Sequence, residues 1–282
     1  MSKLILVSFA DSRYRNSLKR LEEQTRDFPF DERYFLTEKN CLTKEYWRKL
    51  KPWLYRRGYG FWAWKSSIVR DYLSRLDEDD MLFWSDAGLL WNATPKSLQR
   101  FGEYVKKLSG DNDILVFGQP TIEKEWTKGD VLEALGVYND EAICESPQFW
   151  GGLFLIKKSA RVLELIDRLI DLCDLSKELI TDKRSYVPNK EGFKEHRHDQ
   201  SLFSVLVKTY PHVAIPWQET QVDDDDWSKL ADNPIQARRL KEQDRPKSEI
   251  IKNKLMRPWR EFLGFYFTKI RHYEYLCDHY PW

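Results

Sequence analysis

Three short stretches of this chain bring together side chains able to do chemistry. The first is Ser85-Asp86-Ala87-Gly88, which follows the apolar run Met81-Leu82-Phe83-Trp84 without a break. An aspartate delivered straight from a buried strand is costly unless it is paired, hydrogen-bonded or holding a cation. Small neighbours let the backbone approach a bulky ligand, and a carboxylate there binds a divalent cation or a ribose hydroxyl. The structural alternative is an aspartate that caps a following turn or helix. The second stretch is His196-Arg197-His198-Asp199-Gln200-Ser201, ahead of Leu202, Phe203, Val205 and Leu206. Polar groups around one acid at a helix start can orient a nucleophile or contact a phosphate; the alternative is plain N-capping by Asp199. The third runs from Gly58 through Tyr59, Gly60, Phe61, Trp62 and Trp64 to Lys65. A lysine near a helix N-terminus can meet a diphosphate, where backbone N–H groups and the helix dipole add to the attraction. The competing reading is aromatic core packing with a surface lysine.

Other chemistries lose ground. No His/Cys set has zinc spacing, no Gly-x-Ser-x-Gly elbow is present, and the glycines around Tyr59 form neither a P-loop nor a dinucleotide fingerprint. Asp223 to Asp226 is a run of like charges with no apolar scaffold, which reads as solvated surface. Lys+Arg 46 against Asp+Glu 45 gives no strong field, so a nucleic-acid partner is not expected. Twelve Trp, 14 Tyr and 15 Phe are a heavy aromatic load, and such rings stack on bases and on the C–H faces of sugars as readily as they fill cores. A sugar or nucleotide ligand gains weight. Cys41, Cys144, Cys173 and Cys277 are widely spaced and are read as reduced and structural. The apolar run Leu4–Phe9 is too short for a signal sequence or a membrane span, so a cytoplasmic protein is expected.

The elements that must position these residues follow from periodicity. Leu4 to Phe9 reads as a strand buried on both faces, whose carboxyl end is a ligand edge. A charged helix follows over Asn16 to Arg26, then a strand over Asp31 to Leu36 and a helix near Thr43 to Leu54. Arg56 to Gly60 reads as a loop and Phe61 to Leu76 as a helix with Trp64, Ile68, Tyr72 and Leu76 on one stripe. Met81 to Trp84 is a strand, Pro95 to Leu108 a helix, and Asp113 to Phe117 a strand closed by a turn at Gly118-Gln119-Pro120. Gly151 to Ile156, Lys158 to Cys173, His198 to Lys208 and His212 to Ile215 complete a strand, two helices and a short strand. This alternation predicts an α/β class with an open, mainly parallel sheet flanked by helices. Residues 1–220 are expected to form that domain and 221–282 a helical C-terminal extension packed on it.

Taken in order, the stretches resemble bacterial glycosyltransferases of the GT-A fold that build capsular polysaccharide or lipopolysaccharide O-antigen. The matching residues are Gly58 to Lys65, Asp86-Ala87-Gly88 and Arg197 to Ser201, and Glu191 to Ser201 is the most specific part. The resemblance implies a nucleotide-sugar-dependent, hexosyltransferase-like enzyme with a UDP- or GDP-linked donor and a glycan or lipid-linked acceptor. It places Asp86 at the first position of an Asp-x-Asp motif that holds the donor, usually with manganese or magnesium. Gly88 stands where the second aspartate would be, so Asp86 either keeps a Mn2+ or Mg2+ ion alone or holds a ribose or donor-sugar hydroxyl. The same resemblance puts Ser8, Phe9, Ala10, Asp11, Lys65, Asp86 and Ala87 on the donor, Gln148, Trp150, Gly151 and His198 on the acceptor, and Asp199 as the catalytic carboxylate. A catalytically silent sugar- or nucleotide-binding protein of the same fold is the alternative; a nucleotidyltransferase is weakened by the lack of a Gly-rich phosphate loop. Arg257, Arg260, Lys269 and Arg271 alternate with Trp259, Phe262, Phe265, Tyr266 and Phe267, a composition that suits either peripheral membrane contact or a terminal helix packed on the domain.

Overall fold

The computed structural model of the chain describes residues 2–11, 14–41, 57–108 and 112–238, all within one compact unit spanning residues 1–240. The helix expected near Thr43 to Leu54 and the aromatic-basic tail from Met256 lie outside the described residues.

Strand β1 (Leu4–Phe9) leads into helix α1 (Arg15–Gln24) and strand β2 (Glu32–Leu36). Helix α2 (Trp64–Ser74), strand β3 (Met81–Ser85), the short β4 (Leu90–Trp91) and helix α3 (Pro95–Lys106) follow. Strand β5 (Ile114–Ile122) is linked by three short helices, α4 (Glu123–Trp126), α5 (Gly129–Ala134) and α6 (Glu141–Cys144), to strand β6 (Pro147–Lys157). Helices α7 (Ala160–Leu172) and α8 (Asp199–Lys208) and strands β7 (Val213–Ile215) and β8 (Ile235–Gln236) close the described chain.

Six strands form one open sheet in the order β2-β1-β3-β6-β5-β7. β1 runs parallel to β2 and β3, β5 runs parallel to β7, and β6 is antiparallel to both of its neighbours. The period-2 alternation of strand side chains divides the apolar residues between two faces. Ile5, Val7, Phe9, Leu82, Trp84, Phe154 and Ile156 join α2, α7 and α8 in one core cluster. Leu4, Leu6, Met81, Phe83, Leu153 and Leu155 join Leu21, Phe101 and Tyr104 in the other, so α1 and α3 cover that face. Burial on both faces explains why β1 and β3 read as unbroken apolar runs. Each fully buried side chain of this size contributes roughly 1.5–3 kcal/mol.

The structure revises the sequence-based boundaries at three places that bear on the site. Gly118-Gln119-Pro120 is no turn: β5 continues through it to Ile122, with register shifts against β6 on either side of Gly118. Proline is tolerated where the ladder is already interrupted. β6 begins at Pro147 rather than Gly151, so Gln148 and Trp150 belong to the strand. Helix α2 begins at Trp64 rather than Phe61, because the five residues Gly58 to Trp62 all have positive φ, from 55° at Gly58 to 93° at Gly60. A left-handed stretch cannot continue into a right-handed helix. Trp64, Ile68, Tyr72 and Leu76 do form a buried stripe.

The end of the described chain packs against this sheet unit. Ile235 of β8 pairs with Trp91 of β4 and is fully buried, and Leu230 is buried nearby. Asp223 to Asp226 is exposed throughout, as a solvated run should be.

Candidate active site

The three stretches singled out in the sequence meet at one side chain. Lys65, in the first turn of α2, is buried, and its Nζ donates to Asp199 Oδ2 at 2.8 Å and to the Gly151 carbonyl at 2.8 Å. Asp86 Oδ1 lies 3.5 Å from the same nitrogen. Each partner arrives on a different element: Asp86 just past β3, Asp199 as the first residue of α8, and Gly151 on β6.

Local structure fixes each of them. The Asp86 N–H donates to the Gly152 carbonyl at 2.8 Å and the Leu89 N–H returns to Asp86 O at 3.2 Å, a tight turn that ends the strand. The carboxylate accepts from Trp84 Nε1 at 3.0 Å while its side chain stays 41% exposed, so it is anchored at one oxygen and open to a ligand. The Ser85 hydroxyl accepts from Trp91 Nε1 at 3.0 Å. Asp199 does not cap its helix: the N-cap is His198, at φ 53°, and the Asp199 carboxylate turns to Lys65 instead.

Gly151 and Gly152 make the convergence sterically feasible. A Cβ on Gly152 would stand 2.5 Å from Asp86 Oδ2 and 2.9 Å from Trp150 Nε1. A Cβ on Gly151 would stand 3.0 Å from Gln200 Cα and 3.5 Å from Asp199 Oδ2. Gly88, by contrast, has open space where a side chain would go.

The electrostatics follow from burial and charge. Burial pushes the Asp199 carboxyl up, Lys65 pulls it back and Asp86 adds to the rise, leaving it at about 6. Burial works against the Lys65 ammonium, but Asp199 and Asp86 outweigh it and hold its pKa above the ordinary lysine range. At neutral pH Lys65 is therefore an ammonium facing Asp199, which is close enough to its titration to exchange a proton.

The remaining expected donor residues line the same edge. Ser8 is fully buried and its hydroxyl has no hydrogen-bond partner among the described residues. Phe9 packs on Trp64 with ring centroids 4.3 Å apart. Ala10 and Ala87 are buried together with Leu18, and Asp11 is buried beside them in sequence. On the acceptor side, Gln148 is fully buried: its Nε2 donates to Glu123 at 3.1 Å and its Oε1 accepts from Gln200 Nε2 at 2.6 Å. Glu123 is paired with Lys208 at 2.5 Å and also bonded by Thr127 and Ser204. Trp150 is buried in the core, and His198 stacks on Phe61 at 4.8 Å while its Nδ1 donates to the Ile180 carbonyl at 2.8 Å. Burial lowers the His198 pKa, so the ring is neutral at pH 7.

Several contributors escaped sequence reasoning: Trp84 as the Asp86 anchor, Gly152, the buried Glu123–Lys208 pair, and Arg20, whose guanidinium donates to the Ala87 carbonyl at 3.4 Å. The Gly-Gly doublet inside a strand was the one available signal, since strand glycines mark close backbone approach.

Among the described residues no group of three or more His, Cys, Asp or Glu side chains is placed to hold a metal ion, and no helix is long and apolar enough to cross a membrane. No family model and no curated protein matches the chain. Solved structures do resemble it at low identity. A glycosyltransferase involved in glycosylation of the major capsid of PBCV-1 is 12% identical with a TM-score of 0.43, over 83% of this chain and 92% of that one. The apo bifunctional glycosyltransferase WbbM is 13% identical with a TM-score of 0.47, over 83% of this chain but 45% of its own length. The galactosyltransferase LgtC, in complex with donor and acceptor sugar analogues, is 14% identical with a TM-score of 0.40, over 81% and 83%. These are distant likenesses, and none assigns a substrate to this chain.

Proposed function

We propose that this chain is a glycosyltransferase of the GT-A type that moves a sugar from a nucleotide-sugar donor to a hydroxyl of a glycan or lipid-linked glycan. The observation that carries this reading is the Asp86–Lys65–Asp199 cluster at the carboxyl edge of β1 and β3, the edge at which open α/β sheets bind ligands.

Each residue takes a role from its surroundings. Ser8, Phe9, Ala10, Asp11 and Ala87 form the floor of the donor edge, with the part-exposed Asp86 carboxylate accepting from a ribose or sugar hydroxyl. Arg20, held at the Ala87 carbonyl, supplies positive charge to the diphosphate. Asp199 accepts the proton of the acceptor hydroxyl as the acceptor oxygen bonds to the anomeric carbon. The bond from that carbon to the phosphate oxygen breaks, and its electron pair leaves with the nucleoside diphosphate. The buried Gln148, Trp150 and His198 shape the acceptor side through Gln200, Gly151 and the start of α8. Surface-polysaccharide synthesis, a UDP- or GDP-linked donor and work at the cytoplasmic face of a membrane are the setting that this chemistry and the sequence resemblance suggest.

A calorimetric titration with UDP, GDP, CMP and dTDP tests the donor site. One nucleotide is expected to bind the wild type and to bind Asp86→Ala at least tenfold more weakly. Equal binding by both proteins, or binding of none, refutes the assignment of this edge as a donor site. An Asp199→Ala protein that binds the nucleotide normally yet releases no product separates an enzyme from a silent binding protein.

A further inference from the structure

A divalent cation at this site has to be held by the carboxylates present, and their geometry argues against it. Three oxygens converge on one point: Asp199 Oδ2 at 2.8 Å, the Gly151 carbonyl at 2.8 Å and Asp86 Oδ1 at 3.5 Å. Carboxylate and carbonyl oxygens are what a hard cation selects. The Lys65 nitrogen already occupies that point. A second cation shared between Asp86 and Asp199 would sit against a buried ammonium that those two carboxylates keep charged, and like charges in such close contact repel. The residues therefore do not fit a manganese or magnesium ion shared between Asp86 and Asp199.

We infer that Lys65 is the resident cation of this site: its ammonium takes the place of a divalent ion between Asp86, Asp199 and the Gly151 carbonyl, and the site binds and works without metal. The electrostatic part concerns these residues alone; the statement about turnover rests on the glycosyl-transfer reading above.

A lysine differs from a metal in how it does this. It is tethered to the first turn of α2, it cannot be chelated, and its three N–H groups are directed at fixed acceptors. Packing enforces the aim. Trp64, the neighbouring residue, is wedged against Phe9, and its indole N–H donates to the Gly58 carbonyl at 2.9 Å. The ammonium also lies 5.9 Å from the centroid of the Trp84 ring, whose face favours a cation.

Manganese binding to the full chain, followed by the electron paramagnetic resonance of free Mn2+ at pH 7.5, tests the inference without substrate. The wild type is expected to bind no ion in the cluster. Lys65→Ala removes the ammonium and leaves the three oxygens around an open volume, so it should bind one Mn2+ per chain at least tenfold more tightly than the wild type. Asp86→Asn added to that variant should abolish the gain. Stoichiometric binding by the wild type that Asp86→Asn removes overturns the inference, and so does a folded Lys65→Ala protein that gains no ion. Should Lys65→Ala fail to fold, the wild type decides alone: nucleotide affinity unchanged by EDTA or by added manganese supports the inference, and a tenfold dependence on manganese defeats it. If no nucleotide binds at all, the glycosyl-transfer reading fails while the manganese result stands.

Discussion

Replacing Lys65 by Met keeps the length and apolar stem of the side chain and deletes its charge, so it isolates what the ammonium does to Asp199. The pair is 2.8 Å apart with both side chains largely buried. Coulomb's law at an effective dielectric of about 20 gives about 6 kcal/mol at that separation. Breaking a buried pair by removing one partner costs about 3–5 kcal/mol in practice, and the lower figure corresponds to about two pH units at about 1.4 kcal/mol each. In the wild type Asp199 titrates at about 6. In Lys65→Met it should titrate at about pH 8 or higher, so its ionised fraction at pH 7 falls from about nine-tenths to one-tenth or less. The acid limb of the pH–rate profile for nucleotide release should move upward by the same amount, with about a tenfold loss at pH 7 from ionisation alone. Asp86→Asn acts in the opposite sense, since Asp86 raises Asp199, and should move the limb toward acid. NMR of 13C-carboxyl-labelled aspartate, with the resonance assigned through Asp199→Asn, reads the same titration without substrate. A limb and a resonance that stay near pH 6 in Lys65→Met, or that shift the same way in both variants, would refute the coupling of these three residues.

Two glycine comparisons follow from the same geometry. Gly152→Ala puts a Cβ 2.5 Å from Asp86 Oδ2, whereas Gly88→Ala, two residues beyond Asp86, meets open space. Overpacking of this kind costs about 1–3 kcal/mol; the first should lower both the urea midpoint and nucleotide affinity and the second should change neither, and equal behaviour would show that Gly152 is not needed for the approach of the carboxylate. Gly58→Ala and Gly136→Ala both force alanine into positive φ, at 55° and 71°, but only Gly58 has the Trp62 ring, 2.3 Å away, in the path of the new Cβ. Thermal unfolding should show roughly the left-handed penalty of about 1–2 kcal/mol for Gly136→Ala and a larger loss for Gly58→Ala; a smaller loss at Gly58 would mean that the ring is free to move aside.

How legible this was in the sequence depends on the range of the interaction concerned. β1 and β3 could be read because a strand buried on both faces has no polar interruption, and α2 and α7 because their stripes repeat at helical spacing. The start of β6 could not, since Pro147-Gln148-Phe149-Trp150 mixes polar and aromatic residues and is held by pairing with β5 across a bulge. Nor was its direction encoded locally: three short helices intervene between β5 and β6, and only the assembled sheet makes the strand antiparallel. That reversal carries Gly151 and Gly152 to the end of β3, where Gly152 accepts from Asp86. The three motifs could be named one by one in the sequence, but their meeting at the Lys65 nitrogen depends on contacts 21 residues apart to Asp86 and 134 apart to Asp199, with the Gly151 carbonyl 86 residues away completing the set.

The charge count at that meeting point alters what the lysine can do for an anionic donor. A lysine near a helix start reads from sequence as a phosphate contact, yet here the ammonium is engaged by two acidic side chains and a backbone carbonyl. Such a cluster has no spare positive charge to offer a diphosphate, and Asp86 serves the donor through a hydroxyl instead. Under the proposed function, positive charge for the phosphates has to come from another element, and the Arg20 guanidinium, carried by α1 to the carbonyl of Ala87, is a cation beside the Asp86 turn. Under the proposed glycosyl transfer this divides the labour: Lys65 spaces the two carboxylates and sets the proton affinity of Asp199, and the charge that meets the leaving group is assigned to Arg20. It also accounts for the burial of Lys65, because a lysine that neutralises fixed carboxylates needs no solvent, whereas one that must reach a departing nucleotide does.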